Sequence, residues 1–200
     1  MGELIKHLIE AGNLKSKEII TAFEAIDRKD FVPSEHQAEA YGDYPLPIGR
    51  GQTISQPTTV AIMLELLQPQ RGEKILDVGS GSGWTTALLA QIVGKEGKVF
   101  GLEKIAELAE FSKNNLKKYH LPQAEIFIAG KELGLPAQAP FDRILVSAAA
   151  QELPQSLVDQ LKPDGAMVIP VNDSVWQVRK LPEGKLAIEK HWGFSFVPLV

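Results

Sequence analysis

The sequence predicts a doubly wound α/β fold: a mostly parallel sheet with helices on both faces, a helical extension before it and antiparallel strands after it. Three observations carry that expectation. From Lys74 onward, short continuous apolar runs alternate with stretches of helical periodicity, as strands buried on both faces of a parallel sheet require. The first run ends in a glycine cluster that opens a helix. The last thirty or so residues then switch to short runs separated by Pro-Glu-Gly and Trp-Gly, which is turn chemistry for antiparallel edge strands.

Leu4, Ile5, Leu8 and Ile9 recur at helical spacing, as do Ile19, Ile20, Phe23 and Ile26 after the N-cap candidate Ser16, so the first thirty residues form two amphipathic helices. Phe31-Val32-Pro33 ends the second. The next stretch, PLPIGRGQTISQP over 45–57, has too many Pro and Gly for a helix and too little alternation for a long strand. Residues 58–67, with Val60, Ile62, Met63, Leu66 and Leu67, read as a buried helix started by Pro57. Ile75-Leu76-Asp77-Val78 is the first core strand and Trp84–Val93 its helix; Val99-Phe100-Gly101-Leu102 is the second strand, and 105–118 the second helix. Ile126-Phe127-Ile128, Arg143-Ile144-Leu145-Val146 and 166–171 supply further strands, with a helix through 157–161 between the last two. Residues 175–181, 185–191 and 194–199 are the expected edge strands. The expected organisation is a single domain, with helices and a lid segment over 1–57, an α/β core over 58–171 and edge strands over 172–200.

Composition narrows the function classes. Two hundred residues, 44% of them hydrophobic, suffice for one core, and 21 basic against 25 acidic residues give a net charge of -4. That balance lacks the basic field of a nucleic-acid binder. The absence of cysteine excludes disulfides, thiolate catalysis and Cys-ligated metal, and the four scattered His lack metal-ligand spacing, so no metal is expected. No run reaches membrane-spanning length and the N-terminus lacks a signal-peptide pattern; a cytoplasmic monomer is the expectation. Trp84, Trp176 and Trp192 read as packing residues, and Arg50 as a solvated loop cation.

The segment DVGSGSGWTT places Gly79, Gly81 and Gly83 between the first strand and its helix, where bare backbone admits a ligand to the free N–H groups of the helix start. About twenty residues on, Glu103 ends the second strand, placed to accept both hydroxyls of a ribose at the same carboxyl edge. The spacing is G-x-G-x-G, and Trp84 stands where a dinucleotide fold carries its third small residue, so a nucleoside ligand other than NAD is favoured.

Together with PLPIGRGQTISQP, the segment ILDVGSGSGWTTALLA resembles the protein-L-isoaspartate O-methyltransferases, S-adenosylmethionine-dependent repair enzymes of a Rossmann-like superfamily. The match takes in Asp27-Arg28, Phe31-Val32-Pro33, Gly51-Gln52-Thr53-Ile54-Ser55, Gly101-Leu102-Glu103-Lys104, Ala139-Pro140-Phe141-Asp142, Leu161-Lys162-Pro163-Asp164-Gly165 and Phe196-Val197-Pro198-Leu199, nearly the whole chain. The resemblance implies methyl transfer from S-adenosyl-L-methionine, leaving S-adenosyl-L-homocysteine, to the free α-carboxylate of L-isoaspartyl residues in damaged peptides and proteins. It makes Ser55 the active-site serine, a holder of the substrate carboxylate and not a nucleophile, with Thr53, Ile54 and Gln56 on the same wall. It gives Asp77 the role of steadying the glycine loop, passes the methionine part of the cofactor along Gly79, Gly81 and Ser82, and sets Glu103 on the ribose with Lys104, Ala129 and Gly130 about the adenine.

The family's Gly-Asp-Gly-Arg-like segment after the third strand is replaced here by Ala129-Gly130-Lys131-Glu132, removing the acid that helps to read the adenine, so weaker cofactor binding is expected. That departure keeps two alternatives open: a methyltransferase for another carboxylate or small molecule, and a catalytically weak module that binds the isoaspartyl chain or the cofactor.

Overall fold

The computed structural model describes residues 1–199. Its N-terminal helices α1 (Gly2–Glu10) and α2 (Lys17–Ala25) bury the predicted stripes, Leu4, Ile5 and Leu8 on one and Ile19, Ala22 and Phe23 on the other. Ser16 occupies the N-cap position of α2 but does not cap it through its side chain. Glu65 does that work from a later helix: one carboxylate oxygen accepts the backbone N–H groups of Lys15 and Ser16, each at 2.7 Å, and the other accepts the Ser16 hydroxyl at 2.7 Å. A carboxylate at a helix start satisfies orphan donors and complements the dipole.

The Pro- and Gly-rich stretch is a β-hairpin, not an irregular loop. β1 (Leu46–Gly49) pairs antiparallel with β2 (Gln52–Ile54), and the two turn residues Arg50 and Gly51 both have positive φ, 54° and 72°. Two consecutive left-handed residues match the twist of flanking strands, which is why so short a hairpin closes. Helix α3 (Pro57–Leu67) follows, with Pro57 in its first turn as predicted.

The main sheet comprises β3 (Lys74–Val78), β4 (Lys98–Glu103), β5 (Ala124–Ile128), β6 (Phe141–Val146), β7 (Leu161–Val171), β8 (Ser174–Lys180) and β9 (Leu186–Trp192), in the order β5-β4-β3-β6-β7-β8-β9. The pairs from β5 to β7 are parallel and the last two antiparallel. Side chains alternate between two cores. Ile75, Val99, Ile126, Leu145 and Val168 face α1, α2, α3, α4 (Trp84–Val93) and α5 (Ala106–Lys117). Leu76, Val78, Phe100, Leu102, Ile144 and Met167 face the five-residue α6 (Gln155–Asp159) and the connections beside it. Helices do cover both faces, but unevenly.

Two sequence expectations are corrected. The helix expected through 157–161 stops at Asp159, because Leu161 pairs with Phe141 and the Gln160 carbonyl accepts the Phe141 N–H at 2.8 Å, drawing the chain into β7. The strand expected over 194–199 is absent; that segment leaves the sheet edge and makes one parallel bridge, Ala149 with Pro198. Pro198 has no N–H with which to extend a ladder. Trp192 also departs from the expected packing role, being 68% exposed on edge strand β9, whereas Trp84 is 2% exposed in the core.

Candidate functional site

Going from β3 the chain builds β4 and β5 on one side, then crosses back to add β6 on the other, so the sheet's topological switch lies between β3 and β6. Loops leave those two strands in opposite directions and open a crevice at their carboxyl ends. A cleft of about 630 Å³ sits there, floored by Gly79 and Ser80 after β3 and by Ser147 and Ala148 after β6.

The glycine loop works as the spacing predicts. Gly79, Gly81 and Gly83 have φ of 77°, 54° and 91°, so alternate residues of the turn are left-handed. Gly83 is the N-cap of α4, and a Cβ there would collide with the Ser112 hydroxyl, while Gly101 on β4 is crowded by Ile126 and Thr86. Glycine is therefore needed at Gly83 for both conformation and space. Ser82 packs beneath, its carbonyl taking a 3.0 Å bond from Asn115.

Two carboxyl groups organise this turn. Asp77 is fully buried and accepts the hydroxyls of Thr85 at 2.7 Å and Thr86 at 2.6 Å, pinning the first turn of α4 under the loop. Burial pushes its pKa up to about 6; the threonine hydroxyls oppose that shift and the charge of Glu103 adds to it. Glu103 is 6% exposed and receives the Gly81 N–H at 2.8 Å on one oxygen and the Ile105 N–H at 2.9 Å on the other. A carboxylate has about four lone-pair sites, so one acceptor site on each oxygen remains for two ligand hydroxyls.

The opposite wall is the hairpin. Gln52, Thr53, Ile54 and Ser55 line the cleft, and Ile48 of β1 lies 3.2 Å from where a Gly81 Cβ would be, so the hairpin touches the glycine loop directly. Its tip is held by Arg50, whose guanidinium meets the Glu107 carboxylate of α5 at 2.8 Å; Arg50 is partnered, not merely solvated. Ala129, Gly130, Lys131 and Glu132 rim the far end with Lys104, and the bridged segment Val197, Pro198 and Leu199 lines the mouth. Bare glycine backbone, a helix start and a diol-ready carboxylate fit a nucleoside such as the cofactor expected from the resemblance.

Of the predicted site residues, Thr53, Ile54, Ser55, Gly79, Gly81, Ser82, Glu103, Lys104, Ala129 and Gly130 meet at this cleft. Asp77 lies below it, as a support for the loop. Gln56 turns away: its amide donates to Asp43 at 3.2 Å, beside the bonds by which Asp43 takes the backbone N–H and hydroxyl of Thr58. Ser147 and Ala148, which the sequence reading places in the run resembling the family but gives no site role, also line the cleft; their position directly after the strand at the switch point is the topological signal for it.

The family described as Protein-L-isoaspartate(D-aspartate) O-methyltransferase (PCMT) matches residues 1–200. The chain is 45% identical over 202 residues to a protein-L-isoaspartate O-methyltransferase of Methanopyrus kandleri, covering 98% of this chain and 89% of that one. It is 47% identical over 188 residues to protein-L-isoaspartate O-methyltransferase 2 of Archaeoglobus fulgidus, covering 92% and 85%. Among solved structures, a candidate protein-L-isoaspartate O-methyltransferase from Plasmodium falciparum, crystallised in complex with S-adenosyl-L-homocysteine, superposes with a TM-score of 0.87 at 26% identity, covering 99% of this chain and 97% of that one.

Proposed function

The chain belongs to the protein-L-isoaspartate(D-aspartate) O-methyltransferase family, and from that membership we propose how its own residues carry out the family's methyl transfer. The reaction is S-adenosylmethionine-dependent methylation of isoaspartyl residues in proteins, the step that initiates their repair. The single observation that carries the residue assignment is the convergence of Ser55, the glycine loop and Glu103 on one cleft.

The bound cofactor supplies an electrophilic methyl group on a sulfonium sulfur, which keeps the bonding electron pair when the methyl leaves. The substrate's α-carboxylate is the nucleophile. With a reference pKa of about 3.5 it is already ionised at neutral pH, so the protein need not provide a general base. What the chain must do is orient and desolvate. Glu103 takes the ribose hydroxyls on the lone pairs its backbone bonds leave free, and Gly79 and Gly81 let the methionine portion lie against backbone. Ser55 donates its hydroxyl to the substrate carboxylate, and Thr53 and Ile54 close the wall that excludes water. The backbone nitrogen of the following residue then attacks the methyl ester, expelling methanol and closing a succinimide, whose hydrolysis partly restores normal aspartate.

The three sequence segments act as one domain in this reading, supported by the shared cluster in which residues of α1 and α2 pack with those of α3, α4 and α5 and with Val175 of β8. No helix among the described residues is long and apolar enough to cross a membrane. A cytoplasmic monomer without nucleic-acid partners is our working description, supported by the net charge of -4. Methyl transfer to an isoaspartyl peptide, set against the same peptide with normal aspartate, tests the function: transfer to the first alone is expected, and no transfer to either despite cofactor binding would refute it.

A further inference from the structure

Arg28 is the one fully buried basic side chain of the core among the described residues, at 0% exposure. It sits at the start of a 3-10 turn, Arg28–Phe31, and no carboxylate of the described residues forms an ion pair with it. Its partners are backbone carbonyls. One guanidinium nitrogen donates to Ala40 at 2.8 Å and Gly42 at 3.1 Å, and the other to Tyr44 at 2.9 Å and Ser55 at 3.1 Å. The cation also lies 5.5 Å from the centre of the Trp84 ring. Burial lowers its pKa to about 10, with Asp43 opposing, so it stays charged at neutral pH.

Burying a cation with no carboxylate in direct contact is costly, and a hydrophobic residue of similar volume would pack the same space. The arrangement makes sense through what the fork holds. Ser55 lies between the end of β2 and the Gln56 N-cap of α3, outside the ladder and the helix, so its carbonyl has neither as a source of a partner. By fixing that carbonyl, Arg28 fixes the peptide plane that follows Ser55, and with it the direction of the serine side chain into the cleft. By lying on Trp84, the first residue of α4 after the glycine loop, the same guanidinium references the substrate wall to the cofactor loop.

We propose that Arg28 is a positioning residue for methyl transfer, setting Ser55 against the glycine loop so that substrate oxygen and cofactor methyl line up. The proposal rests on the role given to Ser55 above. Lysine is the discriminating substitution, since it keeps the charge but presents its donors from a point and not from a fork spanning four carbonyls.

The test is a double-mutant cycle in the full chain with Arg28→Lys and Ser55→Ala, reading kcat on an isoaspartyl peptide and S-adenosylhomocysteine affinity by calorimetry. Arg28→Lys is expected to lower kcat about tenfold or more with cofactor affinity within about threefold of the parent, and to cost less than about threefold once Ser55 is alanine. An equal cost in both backgrounds, an unchanged kcat, or a loss of cofactor affinity in step with kcat would overturn the proposal. Should Arg28→Lys not fold, Arg28→Gln carries the same cycle, and failure of both to fold makes Arg28 a scaffold residue and also overturns it. An unchanged kcat in Ser55→Ala alone would instead remove the role of Ser55, a separate failure.

Discussion

Replacing Glu103 by glutamine isolates the double role assigned to that side chain. In the structure its two oxygens accept the N–H groups of Gly81 and Ile105 at 2.8 and 2.9 Å, leaving one acceptor site on each for a ribose hydroxyl. Glutamine keeps only one acceptor oxygen, so its NH2 must face either Gly81 N–H or Ile105 N–H, donor against donor. One charge-assisted bond is lost and the other becomes neutral, which costs the free protein about 1.5–3 kcal/mol. At roughly 2–4 °C per kcal/mol for a chain of this size, Tm should fall by about 3–12 °C. Binding suffers further, because one hydroxyl loses its acceptor and the other meets a neutral amide; about 2–3 kcal/mol corresponds to a roughly 30- to 150-fold weaker Kd. Thermal melts of the free protein and calorimetry with S-adenosylhomocysteine read the two effects separately. A lowered Tm with Kd within about threefold of the parent would show that Glu103 only braces the loop, and the ribose assignment would fall.

Other substitutions probe the supports around it. Asp77 has its pKa raised to about 6 by burial, against about 3.9 when unfolded, so its contribution to stability is full below pH about 4 and lost as pH rises through about 6. Asp77→Asn should therefore gain on the parent by up to about 3 kcal/mol between pH 4 and 7 in denaturant melts, and parallel pH profiles would contradict this. Gly83→Ala places a Cβ onto the Ser112 hydroxyl at φ 91° and should lower Tm by several degrees, with Ser112→Ala relieving part of the loss. Glu107→Ala unlatches Arg50 from α5; both partners are more than half exposed, so S-adenosylhomocysteine should bind no more than about fivefold more weakly, and the difference should vanish in about 0.5 M salt. A Cβ added at Gly130 would meet no atom within 4 Å, so Gly130→Asp fits at the adenine end and should tighten cofactor binding severalfold by calorimetry.

Much of this architecture was legible because local and global signals coincide. The strands β3, β4 and β6 are short apolar runs, and the left-handed angles at Gly79, Gly81 and Gly83 are written as alternate glycines. The hairpin was not legible, since Arg50, the first residue of its tight turn, is not a residue that turn chemistry would select, and the pairing is only three residues long. The end of α6 and the path of 194–199 were decided by partners distant in sequence, Phe141 and Ala149, which no window over the local sequence contains. The same is true of Gln56, which reads as a site residue by adjacency to Ser55 but is drawn away by Asp43. Arg28 is the deepest case: nothing in its neighbours along the chain announces that a charged residue will be the most buried cation, because its four acceptors come from 40–44 and from Ser55.

Methyl transfer in this chain depends on Ser55 holding the substrate's nucleophile at the wall opposite the glycine loop. The most direct measurement is kcat/KM of Ser55→Ala on an isoaspartyl peptide at saturating cofactor. A loss of one hydrogen bond to a carboxylate predicts a decrease of about 10- to 150-fold, since such bonds contribute roughly 1.5–3 kcal/mol. A value equal to that of the parent protein would contradict it.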